Sequence, residues 1–401
     1  MKILVLNAGS SSHKCRLYEL NQQNRDPAPP LWQGQLDWTH QPGQVELSVE
    51  TAEGKSQQTA VETTDRTEGL KALLETLIEG PTAVIEALGE IDAVGHRVVH
   101  GGEDYQQSVV IDAAVKDAIA SLAPLAPAHN PVNLQGIEAI EKLLGNVPQV
   151  AVFDTAFHAQ MPEAAATYPG PYDWLDQGIR RYGFHGTSHQ YCAERVAQLQ
   201  GADLADLRLI TCHLGNGCSL AAIRQGRSVD TTMGFTPLDG LMMGSRSGAV
   251  DPSILIYLQR QQGYTPDQLD QLLNKESGLK GLSGISNDLR AVSEAKSKGN
   301  PRAQLAYDVF IHRLRRGIGS MLASLGGLDA LVFTGGIGEH SPPVRQAACE
   351  AFGFLNLQLD AQANQHTDEY RDIATAESAV RIWAIHTQEE WAIAQDCLRL
   401  L

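Results

Sequence analysis

Short apolar runs alternate with small-residue turns along this chain. Ile3 to Leu6 reads as a first strand, broken by Asn7-Ala8-Gly9-Ser10-Ser11-Ser12, and Cys15 to Leu20 reads as a second. Residues 21–66 are rich in Gln, Thr and Pro and lack a helical period, which predicts short strands and turns. The pattern then predicts a helix over 67–89 and a strand from Ile91 to His100, ending at Gly101-Gly102. Pro131 can open a helix through Leu144, since proline suits a first turn. Val150 to Phe153 reads as strand, and Thr187 with Gln190 has the spacing of a capping box for a helix reaching about Leu199. Leu209 to Cys212 is a strand before the turn Leu214 to Ser219. Residues 303–325 are helical, with Leu314, Ile318 and Leu322 on one stripe. Ala330 to Phe333 is a strand before the turn Thr334-Gly335-Gly336-Ile337-Gly338-Glu339, and a last helix starts near Glu389.

Two stretches share one layout. Leu4 to Leu17 reads strand, small-residue turn, strand, and so does Leu209 to Ile223, about 205 residues later. A duplicated unit explains this, and so would two unrelated hairpins. Either turn would expose backbone N–H groups able to cradle a phosphate.

Length and charge narrow the picture. A chain of 401 residues exceeds one ordinary core, so two domains or a duplicated architecture are expected. A formal net charge of −16 repels nucleic acid and anionic membrane, which excludes both as partners. An anionic substrate would therefore need locally placed Arg, Lys, backbone N–H or metal. No apolar run approaches the roughly 18 residues of a membrane span. Lys2 followed by Ile3 to Leu6 is too short for a signal-peptide core. The six cysteines form no C-x-x-C and read as buried thiols of a reducing compartment, which points to the cytoplasm.

The chemistry-bearing segments are ambiguous one by one. There is no Walker-type G-x-x-x-x-G-K-[ST]. His185 and His189 stand four apart without the glutamate of a zinc protease. On a strand, Arg97 and Val99 share a face, and a cation beside a small apolar residue suits a carboxylate with a short alkyl tail. Equally, Arg97 could be a surface residue on an edge strand. Arg246 stands in the small-residue loop Gly244 to Gly248, where a guanidinium and backbone can approach an anion, or simply be solvated. Asp154, at a strand end, suits a metal or a cap. His185, before a helix, suits a phosphate near a positive helix end or a structural role.

Together these segments closely resemble the acetate kinase family. The matching pieces are N-A-G-S-S-S-x-K at 7–14, G-H-R-V-V-H-G-G-E at 95–103, H-N-P at 129–131 and F-D-T-A-F-H at 153–158. They continue as Y-G-F-H-G-T-S-H at 182–189, H-L-G-N-G-x-S at 213–219, R-S-G at 246–248, N-D-L-R at 287–290, F-T-G-G-I-G-E at 333–339 and E-E at 389–390. The resemblance implies an α/β fold of two duplicated ribonuclease-H-like, actin-like ATPase domains with an interdomain cleft. It implies an N-terminal domain of 1–154 plus 386–401, on the metal and acyl side, and a nucleotide-binding domain of 155–385. Asp154, His185, Arg246 and Arg97 would be catalytic. Arg97, Val99, His129, Phe184 and Pro237 would bind the acyl substrate. Ser10, Ser12, Lys14, His213, Leu214, Gly215, Asn216, Gly217, Asp288, Leu289, Arg290, Gly336, Ile337, Gly338, Glu339 and His340 would bind ATP. Asn7 and Glu389 would hold Mg²⁺, with Mn²⁺ as a substitute. A homodimer is also implied.

The implied reaction is reversible phosphorylation of acetate by ATP, a step toward acetyl-CoA. Acetate is ionised at pH 7, having a pKa near that of Asp or Glu, about 4, so its oxygen can attack the γ-phosphorus without a general base. The difficulty is electrostatic, since two anions must meet. Direct in-line transfer is therefore expected, with Asp154 orienting metal. The sequence departs from the family at His13, Ala128, Ser245, Ala249 and His340. Ala128, where relatives carry leucine, predicts a looser acyl pocket and better use of propionate unless Leu125 fills the gap. Alternatives are a propionate or butyrate kinase and, in a different class, an ATP-gated binding module.

Overall fold

The computed structural model describes every residue except Ser10, Asn24, Arg25, His40 and 366–369. The chain divides into two compact units, one of Met1–Ala156 with Gln388–Leu401, the other of Phe157–Thr387. These boundaries lie two residues beyond those expected from the sequence.

Unit 1 is built on strands β1 (Lys2–Ala8), β2 (Ser12–Glu19), β3 (Trp32–Asp37), β4 (Val45–Thr51), β5 (Ser56–Val61), β6 (Ala93–Val98), β7 (Val109–Val110) and β8 (Gln149–Phe153), in the order β5-β4-β3-β2-β1-β6-β8-β7. β1 runs antiparallel to β2 and parallel to β6, which is parallel to β8. The apolar run of β1 is buried throughout, Ile3 to Leu6 each at 0% exposure, as a central strand covered on both faces requires. Helices Arg66–Glu75 and Asn130–Leu144 contribute to its cover, as does helix Glu389–Leu400 from the far end of the sequence.

Unit 2 repeats the plan. Its strands are β9 (Arg208–Leu214), β10 (Cys218–Arg224), β11 (Arg227–Thr231), β12 (Ala330–Thr334), β13 (Tyr370–Asp372) and β14 (Arg381–Ile385), ordered β11-β10-β9-β12-β14-β13. β9 is antiparallel to β10 and parallel to β12, and β12 is parallel to β14. The core path β3-β2-β1-β6-β8 therefore matches β11-β10-β9-β12-β14 in order and direction. The two hairpins that share a layout in the sequence are the central hairpins of duplicated sheets.

Three sequence expectations are corrected. The helix predicted over 67–89 stops at Glu75, although Leu77 and Ile85 stay buried, so the apolar pattern runs on through a packed turn. The strand predicted to reach His100 ends at Val98. There the N–H groups of Val99 and His100 leave the ladder and donate to the side-chain oxygens of Asn133 and Asn130, both at 3.1 Å. The capping box does not form. Helix Gly186–Gln200 starts one residue before Thr187, behind His185, whose backbone is left-handed at φ 58° and ψ 26°.

Candidate functional site

In both units the chemistry collects at the carboxyl ends of the parallel strands, where open α/β sheets bind ligands. In unit 1, Asn7 lies near the end of β1, Arg97 on β6, and Asp154 just past β8, its N–H bonded to Val98 O at 2.9 Å. The parallel register carries Leu6 beside His96 and Val98 beside Phe153, so these side chains converge. Arg97 donates to both oxygens of Asp154, through Nε at 2.9 Å and Nη2 at 2.6 Å, and to Asn7 Oδ1 at 3.4 Å. Glu389 Oε2 stands 3.9 Å from Arg97 Nε, and its neighbour Glu390 pairs with Arg16 at 3.3 Å.

The electrostatics follow from that crowding. Burial disfavours the charged form of Arg97, but Asp154, Glu389 and Glu390 outweigh it and hold the guanidinium above its ordinary pKa. Burial pushes Glu389 up to about 7, with Glu390 and Asp154 adding to the shift and Arg97 opposing it. Asn7, Asp154 and Glu389 form a set of hard oxygen donors around one cation. Among the described residues no group of three or more His, Cys, Asp or Glu side chains has the arrangement of a metal site. Val99 is buried just past β6, and His129 stands half-buried at the start of helix Asn130–Leu144. Ala128 is exposed in the preceding turn, with Leu125 half-buried near it in sequence. Its side chain therefore forms no packed wall.

Unit 2 holds a second cluster. His185 stacks on His213 with ring centroids 4.2 Å apart and 26° between planes. His158 Nε2, 3.1 Å from the carbonyl of Phe184, anchors the residue before the left-handed His185. Arg246 is largely buried, and its Nη1 donates to Pro237 O at 3.3 Å and lies 3.9 Å from Met243 Sδ. Among the described residues Arg246 forms no ion pair, and burial pulls its pKa down. A methyl group on Gly217 would stand 3.4 Å from His185 Nε2 and 3.7 Å from Arg246 Nη1. The missing side chain leaves a small hollow onto which an imidazole edge and an uncompensated guanidinium both face.

The same loop continues into a cavity of 700 Å³, lined among others by Gly215, Asn216, Asp288, Leu289, Arg290, Gly336, Ile337 and His340. Asn216 is pinned there, its carbonyl accepting from Gly244 N–H at 3.0 Å and its side chain from Asn287 Nδ2 at 3.1 Å. The turn after β12 is a short helix, Gly335–His340. Beneath it the fully buried Arg345 donates to the carbonyls of Gly338 and Glu339 at 2.8 and 2.6 Å, and to Asn364.

Not every expected nucleotide contact lines this cavity. Leu214 is buried at the end of β9, His213 and Gly217 belong with His185, and Gly338 gives its carbonyl to Arg345. Glu339 turns inward and accepts from Gly335 N–H at 2.9 Å, with its other oxygen 2.7 Å from His386 Nδ1. Lys14 and Ser12 stand on β2 of unit 1, and Ser10 lies outside the described residues. Phe184 is buried and Pro237 half-buried in unit 2, so the expected acyl contacts divide between the units. Asn287, Ser293, Ser341 and Pro343 also line the cavity and were missed. Their adjacency to Asp288 and His340 was the available signal.

The profile of the acetokinase family matches residues 2–395. The acetate kinase of Nostoc punctiforme is 63% identical over 403 residues, covering all of both chains. The crystal structure of Porphyromonas gingivalis acetate kinase superposes with a TM-score of 0.92 at 41% identity, covering 100% of this chain and 99% of that one. A propionate kinase from Francisella tularensis superposes with a TM-score of 0.91 at 38% identity, covering 100% of both.

Proposed function

The chain belongs to the acetokinase family, and on that premise we propose that it transfers a phosphoryl group reversibly between ATP and acetate by direct in-line attack. The observation that carries this reading is Arg246, a largely buried guanidinium without a carboxylate partner among the described residues, facing the Gly217 hollow together with His185. An uncompensated buried cation calls for an anion, and the hollow adjoins a cavity of nucleotide size. The nucleotide occupies that cavity, with Leu289, Ile337 and Pro343 supplying apolar contact. Its terminal phosphate lies toward Gly217. His185 and Arg246 then stabilise the charge that spreads over the phosphoryl oxygens.

Arg97 receives the acetate carboxylate. Its fork already faces Asp154, so Asp154 orients the cation rather than removing a proton. No base is needed, because the acceptor is already an anion. Asn7, Asp154 and Glu389 suit Mg²⁺, with Mn²⁺ as a substitute, since hard cations take oxygen ligands. When bound, the metal would neutralise phosphate charge. The remaining polar side chains position and screen the reactants.

The chain acts in the cytoplasm, which six buried free thiols support; among the described residues no helix is long and apolar enough to cross a membrane. It forms a homodimer. Helix Pro252–Gln262 buries none of its residues and leaves Ile254, Ile256 and Tyr257 exposed, a surface that suits a second copy. Propionate is a second candidate acceptor, favoured by the close superposition of a propionate kinase. A hydroxamate assay of the acyl phosphate formed from acetate, propionate and butyrate, beside a measurement of ADP released with each acid and with glucose, tests the proposal. Acetate should lead, and turnover of glucose alone would refute a carboxylate acceptor.

A further inference from the structure

Behind His185 runs a line of buried hydrogen bonds to which the transfer reading assigns nothing. His185 Nδ1 lies 2.8 Å from Ser219 Oγ, Ser219 Oγ lies 2.8 Å from His189 Nε2, and His189 Nδ1 lies 2.7 Å from Thr211 Oγ1. Ser219, His189 and Thr211 are all at 0% exposure, so no solvent completes their bonding.

Proton accounting gives this line a direction. Among the described residues, the Thr211 hydroxyl has His189 Nδ1 as its side-chain partner and no other. Were Thr211 to accept from that nitrogen, its own hydrogen would be buried without an acceptor, an arrangement protein interiors avoid. Thr211 therefore donates to His189 Nδ1. Burial, with His158 and His213 nearby, keeps His189 well below its ordinary pKa, so its ring is neutral and carries one hydrogen. That hydrogen sits on Nε2 and goes to Ser219 Oγ. Ser219 has one hydrogen of its own, and it goes to His185 Nδ1.

From this we infer that Thr211, His189 and Ser219 form a proton-ordering chain that fixes His185 as its Nε2–H tautomer. The inference rests on the phosphoryl-transfer reading only for its purpose. The Nε2 edge is the one beside the Gly217 hollow, so the ordered ring offers a donor to a phosphoryl oxygen without itself becoming cationic. Stacking on His213, itself 2.8 Å from Ser188 Oγ through Nδ1, holds the plane of the ring. Ser219, His189 and Thr211 are positioning residues that act through His185.

The test is nitrogen NMR of the full-length protein labelled at histidine, with the His185 signals assigned through His185→Gln. Both His185 and His189 should carry hydrogen on Nε2 and a bare Nδ1. A His185 ring protonated at Nδ1, or at both nitrogens, overturns the inference. Ser219→Ala should mix the His185 tautomers and lower kcat about 2- to 12-fold, the worth of one hydrogen bond, with KM for ATP nearly unchanged. Thr211→Val should disturb His189 first and kcat less. An unmixed His185 signal in Ser219→Ala also overturns it. If Ser219→Ala does not fold, the wild-type spectrum still decides. A wild-type protein without kinase activity would remove the transfer reading while leaving the tautomer measurement intact.

Discussion

Replacing Arg97 with Gln removes the cation on which Asp154, Asn7 and Glu389 converge. The Asp154 side chain is 1% exposed and would lose two hydrogen bonds, of 2.6 and 2.9 Å, while keeping its charge. Breaking one partner of a buried pair costs about 3–5 kcal/mol, because the remaining ion stays desolvated and uncompensated. A unit of this size loses roughly 2–4 °C of unfolding midpoint per kcal/mol, so unit 1 should melt roughly 6–20 °C lower. Arg97→Gln with Asp154→Asn removes the stranded charge and should regain most of that loss. Turnover should not return, since acetate would still lack its cation. Calorimetry of wild type, both single variants and the double variant gives the coupling between the two residues. If Arg97→Gln melts within about 2 °C of wild type, or the double variant is no more stable than Arg97→Gln alone, the pair is not the mainstay of this site.

Arg246→Gln should lower kcat by about 10³-fold or more, as loss of an arginine at a transferring phosphoryl group does. His185→Ala should lower kcat more than it raises KM for ATP, and steady-state kinetics on both variants check this. Gly217→Ala should fold normally, its φ lying outside the left-handed region, yet its methyl group would enter the hollow and weaken the bond to a phosphoryl oxygen. About 1.5–3 kcal/mol for that charge-assisted bond is a 10- to 150-fold loss of kcat, while the thermal midpoint should hold or rise slightly. Burial alone would raise the Glu339 pKa, but His386 and the N–H groups of Thr387 and Gly335 hold it below its ordinary value. Its contribution is therefore present above about pH 4.3, the usual unfolded value, and fades as pH falls through the lower folded value. Melting of Glu339→Gln against wild type should show a deficit at pH 7 that shrinks as pH falls below about 4.3, and a constant deficit would refute the assignment.

The duplicated hairpins were legible because a central strand covered on both faces must be a continuous apolar run, and a tight turn that leaves its backbone N–H groups open must be small. Both constraints act on neighbouring residues, so both leave a local pattern. Arg97 was legible as a cation at a strand end, but its partner Asp154 stands 57 positions away, and pairing across parallel strands leaves no periodic trace. The overshoot of the helix after Arg66 has the same origin, since Leu77 and Ile85 pack into the same core from a turn. Ser219 and Thr211 show how polar residues hide. Each is a lone polar residue in a largely apolar stretch of β10 or β9, which marks the position as buried but not its partner, and both are bonded to histidines. Asp288 to Arg290 and His340 came forward only through resemblance to relatives, because cavity-lining residues obey no spacing rule of their own.

The helix Glu389–Leu400 has a consequence for how the molecule is made. It lies on β1, β6 and β8 so closely that a methyl group on Gly95 would stand 2.6 Å from Ile393 Cγ2 and 2.7 Å from Cys397 Sγ. During synthesis those strands appear first, and the helix that covers them follows only after all of unit 2. At ribosomal rates of about 5–20 residues per second, this sheet face waits on the order of 10–50 s for its cover. Unit 2 has all its own segments in hand by then and can finish folding ahead of unit 1. Glu389 and Glu390 arrive on the late helix, so two of the three carboxylates around Arg97 join Asp154 in the same event that closes the core. A chain cut short before Glu389 would therefore lack at once the cover of this sheet face and two of the carboxylates around Arg97.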